Sequence, residues 1–154
     1  PEQLLDDYLG RGGAVLREET DDNSWRKILH QRDALTQRKV PLPDGGTLVI
    51  DVCEALTVID VNTASDTGDR DLKHTILRTN LAACAEIARQ ARLRNLAGIL
   101  IIDFIDMETE EERDQVRAAL ENAFACDRVK TVLPGFPRLG LMEMTRRRGR
   151  RTLI

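Results

Sequence analysis

Two short stretches of this sequence end the same way. Thr57-Val58-Ile59 runs into Asp60, and Leu100-Ile101-Ile102 runs into Asp103. The second, with Ile99 before it, is a continuous apolar run of the kind that predicts a strand buried on both faces. Between the two, residues 72–94 carry Leu77, Leu81, Cys84, Ala88 and Ala91 at spacings of four and three, the apolar stripe of a helix. A strand, a helix and a second strand in that order predict a parallel crossover. Parallel neighbours would bring Asp60 and Asp103 out at the same sheet edge, where ligands bind in open α/β sheets. An isolated buried carboxylate is costly, so Asp103 must be paired, metal-bound or at the strand's mouth.

The remaining elements fit around this unit. "TLVIDV" (47–52) and "ALTVIDVN" (55–62) read as strands, with Cys53-Glu54 as a hairpin connection. "TEEE" (109–112) has the form of a capping box, with Thr109 capping and Glu112 reaching back. The helix it starts would run to about Ala125 and bury Val116, Leu120, Ala123 and Phe124. "VKTVLP" and "LGLMEMT" read as late strands, and Gly98 as the terminator of the long helix. The order β-β-α-β-α-β-β predicts an α/β fold, a mixed sheet with flanking helices. Upstream, residues 1–10 and 25–39 have helical spacing, and "PLPDGG" (41–46) is a turn cluster. The expected boundary lies there: 1–43 is a helical or irregular segment, a candidate part of a neighbouring subdomain, and 44–154 is the core.

Composition narrows the class. At 154 residues the chain can bury one core. No apolar stretch approaches a membrane span, and the start has no signal-peptide pattern. The chain opens on Pro1, as a piece of something longer would. Cys53, Cys84 and Cys126 are scattered, with no Cys/His cluster for zinc, which points to structural, reduced thiols and a cytoplasmic home. A net charge of −3 argues against a simple nucleic-acid coat. "RRRGRR" (146–151) reads either as a solvated tail or as an RNA contact, and the acidic run 103–114 as solvated surface.

Two carboxylates held close raise each other's pKa unless a cation sits between them. Mg²⁺ takes oxygen ligands, commonly one or two carboxylates with waters and substrate phosphate. Asn62, two residues beyond Asp60 on the same strand face, is placed to hydrogen-bond and orient it. The bland alternative is that Asp60, Asn62 and Asp103 are turn and cap residues where strands stop. Asp106 reads as a cap before the second helix, and Asp51 as the partner of a basic residue. His30 and His74 are far apart in sequence, which argues against a His-pair nuclease. There is no P-loop, dinucleotide fingerprint or nucleophile elbow, and 3% aromatic residues supply little for base stacking.

"EALTVIDVNT" (54–63), "TNLAACAEIARQARLRNLAGILIIDFIDM" (79–107), "DRVKT" (127–131) and "LGLMEMTRRR" (139–148) resemble the catalytic core of the ribonuclease E/G family. The resemblance runs from about Ala34 to Arg151, with "RKVPLPDGG" as its entry. It implies a subdomain similar in fold to deoxyribonuclease I and an endoribonuclease acting on single-stranded, often AU-rich RNA. It implies Mg²⁺ held by Asp60 and Asp103, with Asn62 orienting Asp60. Water activated by the metal would attack the phosphodiester and leave a 5′-phosphate on the downstream product. Lys130 matches a residue lining a 5′-monophosphate pocket, where some members have Arg. Members form homo-oligomers. The S1-type, 5′-sensor and zinc-link parts of the family have no counterpart here, residues 1–33 match nothing, and "TASDTGDRD" (63–71) departs from the usual Gly after the Thr. The competing expectations are a catalytically weak fragment or paralogue serving as an RNA-binding or oligomerisation module, and an acidic-pocket phosphotransferase, which lacks a nucleotide-binding loop.

Overall fold

The computed structural model describes residues 22–63, 72–137 and 140–148. The chain divides into two compact units, residues 1–34 and 35–154. In the first, α1 spans Asp22–Ala34. The second holds β1 (Lys39–Pro41), β2 (Thr47–Val52), β3 (Leu56–Asn62), α2 (Leu72–Leu93), β4 (Gly98–Asp103), α3 (Glu110–Phe124), β5 (Thr131–Gly135) and β6 (Met142–Arg146). The strands form one sheet in the order β1-β2-β3-β4-β6-β5. Among the described strands β3 and β4 pair in parallel, and the other neighbouring pairs are antiparallel.

The expected α/β mixed sheet with flanking helices is therefore present. The expected boundary at 43/44 is not where the unit begins. Lys39–Pro41 is a sheet strand in register with Thr47–Val49, so "PLPDGG" is a hairpin turn inside the unit. Leu42 N–H donates to the Gly46 carbonyl (2.8 Å) and closes that turn. A three-residue strand with proline at its end carries too little alternation to be seen in sequence; it sits at a sheet edge, where Pro is tolerated.

The core lies on one face of the sheet. Leu48 and Ile50 of β2, Ile59 and Val61 of β3, and Leu100 and Ile102 of β4 are buried with Ile87 of α2 and Val116 and Leu120 of α3. The alternate residues, Val49, Val58 and Ile101, are only half-buried. Ile99 is 48% exposed, so β4 is not buried on both faces as its apolar run suggests. Its inner residues alone meet the helices.

Local chemistry explains the ends of the elements. Thr109 accepts from Glu112 N–H (3.2 Å), and Glu112 accepts from Thr109 N–H (3.2 Å), the predicted capping box. A cap of this kind is worth about 1 kcal/mol. Asp106 is thus not the cap. Asn95, not Gly98, terminates α2: its φ is +53°, Leu96 N–H donates to the Ala91 carbonyl (2.9 Å) and Asn95 N–H to that of Arg92 (3.3 Å). These are the two bonds of a Schellman cap with Asn in the left-handed position. Of the cysteines only Cys84 is buried; Cys53 and Cys126 are exposed. Burial pushes the Cys84 thiol up to about 12, which leaves it unreactive.

Two buried arginines were not expected. Arg94 is fully buried; its Nε donates to Gln90 Oε1 (2.6 Å) and its Nη2 to the Gln37 carbonyl (2.8 Å), tying the end of α2 to the approach to β1. Arg146, read above as part of a basic tip, points inward from β6. It pairs with Asp127 through Nε (2.8 Å) and Nη2 (3.2 Å), and donates from Nη1 to the Leu96 carbonyl (2.8 Å). Both side chains of the pair are nearly solvent-free, at 3% and 4% exposure. Residues 149–151 of the basic stretch lie outside the described residues, as do 1–21.

Candidate active site

The register of β3 and β4 sets the site. Asp60 lies directly beside Asp103 on the parallel neighbour, at the carboxyl ends of the two central strands. Strand spacing puts their backbones about 4.8 Å apart. Ile59 and Val61 point into the core, and so does Ile102; Asp60 and Asp103 therefore share the opposite face. Asn62 Nδ2 donates to Asp60 Oδ2 (2.7 Å), as its spacing predicted. That bond fixes the Asp60 carboxylate and leaves its other oxygen for a ligand. Asp60, Asn62, Thr63, Asp103, Ile105 and Asp106 line a pocket of about 290 Å³.

Among the described residues, Asp103 faces acidic neighbours and no cation. Partial loss of solvent, then the charges of Asp60 and Asp106, hold the Asp103 carboxyl above its ordinary range. Asp51, by contrast, pairs with Arg38, the basic partner expected for it. Hard oxygen donors clustered under mutual repulsion are the donor set of a divalent cation such as Mg²⁺. Among the described residues no group of three or more His, Cys, Asp or Glu side chains forms a metal cage. The in-register pair Asp60 and Asp103 has the donor chemistry of an ion that takes one or two carboxylates and keeps its waters.

The described surroundings of the pair are closely packed and hydrogen-bonded. Gly46, at the end of the β1–β2 turn, backs onto Asn62: a Cβ there would lie 2.8 Å from the Asn62 carbonyl oxygen, so only glycine permits this approach. Beyond Asp103, Phe104 is buried and packs tilted against Phe136, ring centroids 6.2 Å apart. Asn80 of α2 bonds both backbone groups of Ile105. Arg113 Nη1 donates to the Met107 carbonyl (2.7 Å). Sequence reasoning missed Asn80 and Arg113. The signal for Asn80 was available: it falls on the helix's inner face, where 77, 80, 84, 87 and 91 follow helical spacing and the other positions are apolar.

Lys130 is not part of this pocket. It is exposed and precedes β5, whose Thr131 is in register with Arg146, itself in register with Gly98 at the start of β4. Asp103 ends the same strand, roughly 16 Å away along it. Lys130 instead lines a pocket of about 480 Å³ with Ile99, Arg147 and Arg148. His74 is exposed on α2, and His30 belongs to the other unit. The loop after Thr63 lies outside the described residues.

The Ribonuclease E/G family model matches residues 15–149, reaching further upstream than the resemblance drawn from Ala34. The chain belongs to this family. Ribonuclease G of Escherichia coli (strain K12) is 54% identical over 117 residues, 76% of this chain and 24% of that protein. Ribonuclease G of Haemophilus influenzae is 50% identical over 116 residues, 75% of this chain and 24% of that protein. Ribonuclease E of the same organism is 46% identical over 122 residues, 79% of this chain and 13% of that protein. The chain spans about a quarter or less of the length of these relatives. Among the described residues no helix is long and apolar enough to cross a membrane.

Proposed function

We propose that this chain is the catalytic core of an Mg²⁺-dependent endoribonuclease that hydrolyses phosphodiester bonds in single-stranded RNA. The observation that carries the proposal is the pairing of Asp60 with Asp103 in register on the sheet face opposite the core, with Asn62 bonded to Asp60. The family membership supports the reaction class, since the relatives are ribonucleases by name.

Asp60 and Asp103 would hold the ion. Asn62 donates to one Asp60 oxygen, so that carboxylate keeps one orientation. A phosphodiester carries negative charge and is repelled by Asp60, Asp103 and Asp106 together, a repulsion that a bound cation would offset. When bound, Mg²⁺ would supply Lewis-acid charge stabilisation and lower the pKa of a bound water. Lys130 would serve RNA at a distance, as a phosphate contact at the other end of the sheet, with Arg147 and Arg148 beside it. As a point charge it would attract a 5′-phosphate without the two-pronged geometry of an arginine.

The test is cleavage of a 5′-monophosphorylated, single-stranded, AU-rich RNA with Mg²⁺ and with EDTA, wild type beside Asp103→Asn. Cleavage that requires Mg²⁺ and disappears in the variant supports the proposal. Cleavage that survives EDTA, or survives the substitution, overturns it. Mg²⁺ binding at the pair without cleavage would support instead a weak fragment that binds RNA or assembles without cutting.

A further inference from the structure

Asn80 is a buried polar side chain that the mechanism above does not use. It sits mid-helix on α2 with no solvent exposure. Its Nδ2 donates to the Ile105 carbonyl (2.8 Å), and its Oδ1 accepts from the Ile105 N–H (3.1 Å). One side chain therefore satisfies both backbone groups of a single residue in the loop after β4. Ile105 lies between Asp103 and Asp106, and all three line the acidic pocket. The contact spans 25 residues of sequence, so it is tertiary and not a local turn.

A loop backbone without a ladder needs partners for its polar groups, and a buried amide that supplies two at once fixes position and orientation together. Thr79, the preceding residue, grips the other side of the site. Its hydroxyl donates to Asp44 Oδ2 (2.6 Å), while Asp44 Oδ1 accepts from Gly46 N–H (3.2 Å). Consecutive buried residues of α2 thus hold the two backbone segments that flank the carboxylate pair.

We propose that Asn80 is a positioning residue of the active site: it clamps the β4–α3 loop so that Asp103 and Asp106 stay facing Asp60. The inference rests on the metal-site reading above, and its test separates the two. The variants are Asn80→Ala and the milder Asn80→Ser. The control is Asp127→Asn, which breaks the buried ion pair at the other end of β4 and weakens the fold without touching the loop. Two quantities are read: amide hydrogen exchange in the metal-free chain, and Mn²⁺ affinity by electron paramagnetic resonance.

The expected result is selective. Exchange at the Ile105 and Asp106 amides rises at least tenfold in the Asn80 variants while the β4 amides stay protected. Mn²⁺ affinity falls about tenfold or more, in the range seen when a residue orienting a metal ligand is removed. In Asp127→Asn both quantities stay within about twofold of wild type at a temperature where it is folded. Unchanged Ile105 exchange in the Asn80 variants, or equal losses in Asp127→Asn, would overturn the clamp. If Mn²⁺ does not bind wild type, or binds Asp103→Asn equally well, the metal reading fails. The exchange data then still decide whether Asn80 holds the loop.

Discussion

Asp103 and Asp127 are acidic residues at opposite ends of β4, and the fold treats them in opposite ways. Asp127 is buried, meets the Arg146 guanidinium through both oxygens and accepts a further bond from Val129 N–H (3.0 Å). Its charge is consumed inside the protein. Asp103 is exposed at the strand's mouth, and its charged neighbours in the pocket are Asp60 and Asp106. Among the described residues no basic side chain pairs with it. The same residue type therefore stabilises the fold at one end and strains it at the other. That difference in satisfaction separates the structural ion pair from the proposed metal site.

The matched substitutions are the sharpest way to break this comparison. Asp103→Asn should lower Mg²⁺-dependent cleavage about 1,000-fold, the loss expected when several kcal/mol of charge stabilisation go. It should leave the melting temperature in EDTA unchanged or raised. The sign follows from the pKa: the folded state holds this carboxyl above its ordinary value, so its ionised form opposes folding at neutral pH, and the neutral amide relieves that. A clear drop in melting temperature would mean that Asp103 is structural. Asp127→Asn should do the reverse. Removing one partner of a buried pair strands the other charge and costs about 3–5 kcal/mol, a fall of roughly 6–20 °C in melting temperature for a chain of this size. Calorimetry would check this, with Mg²⁺ affinity little changed at temperatures where the variant is folded.

Asn62→Ala tests the same end more gently. Loss of the 2.7 Å bond to Asp60 should weaken Mg²⁺ binding by about 10–100-fold without loss of fold. Isothermal titration would detect it, and an unchanged affinity would mean that Asp60 needs no orienting partner. The smallest effect is the acid response. The bonds from Arg146 and Val129 outweigh burial and hold the Asp127 carboxyl below its ordinary range. Its contribution is fully present above the unfolded value, near pH 4, and is lost as pH falls through the lower folded value. The acid limb of a pH–stability profile should therefore be shallower in Asp127→Asn than in wild type.

The contrast between the two ends was half legible in the sequence. Asp60 and Asp103 stood out because each stops an apolar run, and the helix-spaced segment between them predicted parallel strands. The capping box at Thr109 and Glu112 was equally plain, because its signal is confined to four residues. Arg146 was hidden: it reads as the first of six residues in a basic tip, and only the alternation of β6, with Met142, Met144 and Arg146 buried, turns it inward. Its partner Asp127 is 19 residues away, a separation that no local pattern reports. Asn95 was passed over for Gly98 because glycine is the commoner terminator, although Asn also tolerates the left-handed conformation. Asn80 stood visible as a polar position within an apolar stripe, but its partner Ile105 is 25 residues away and no local pattern names it. The features legible in sequence repeat or cap locally; those that were not depend on one side chain meeting a distant one.

The most direct test of the central claim is Mg²⁺ titration calorimetry on wild type, Asp103→Asn and Asp127→Asn. One site is expected in wild type, with its loss in Asp103→Asn and its retention in Asp127→Asn. Binding that survives in Asp103→Asn, or disappears only in Asp127→Asn, would contradict that claim and return Asp60 and Asp103 to the role of strand-end residues.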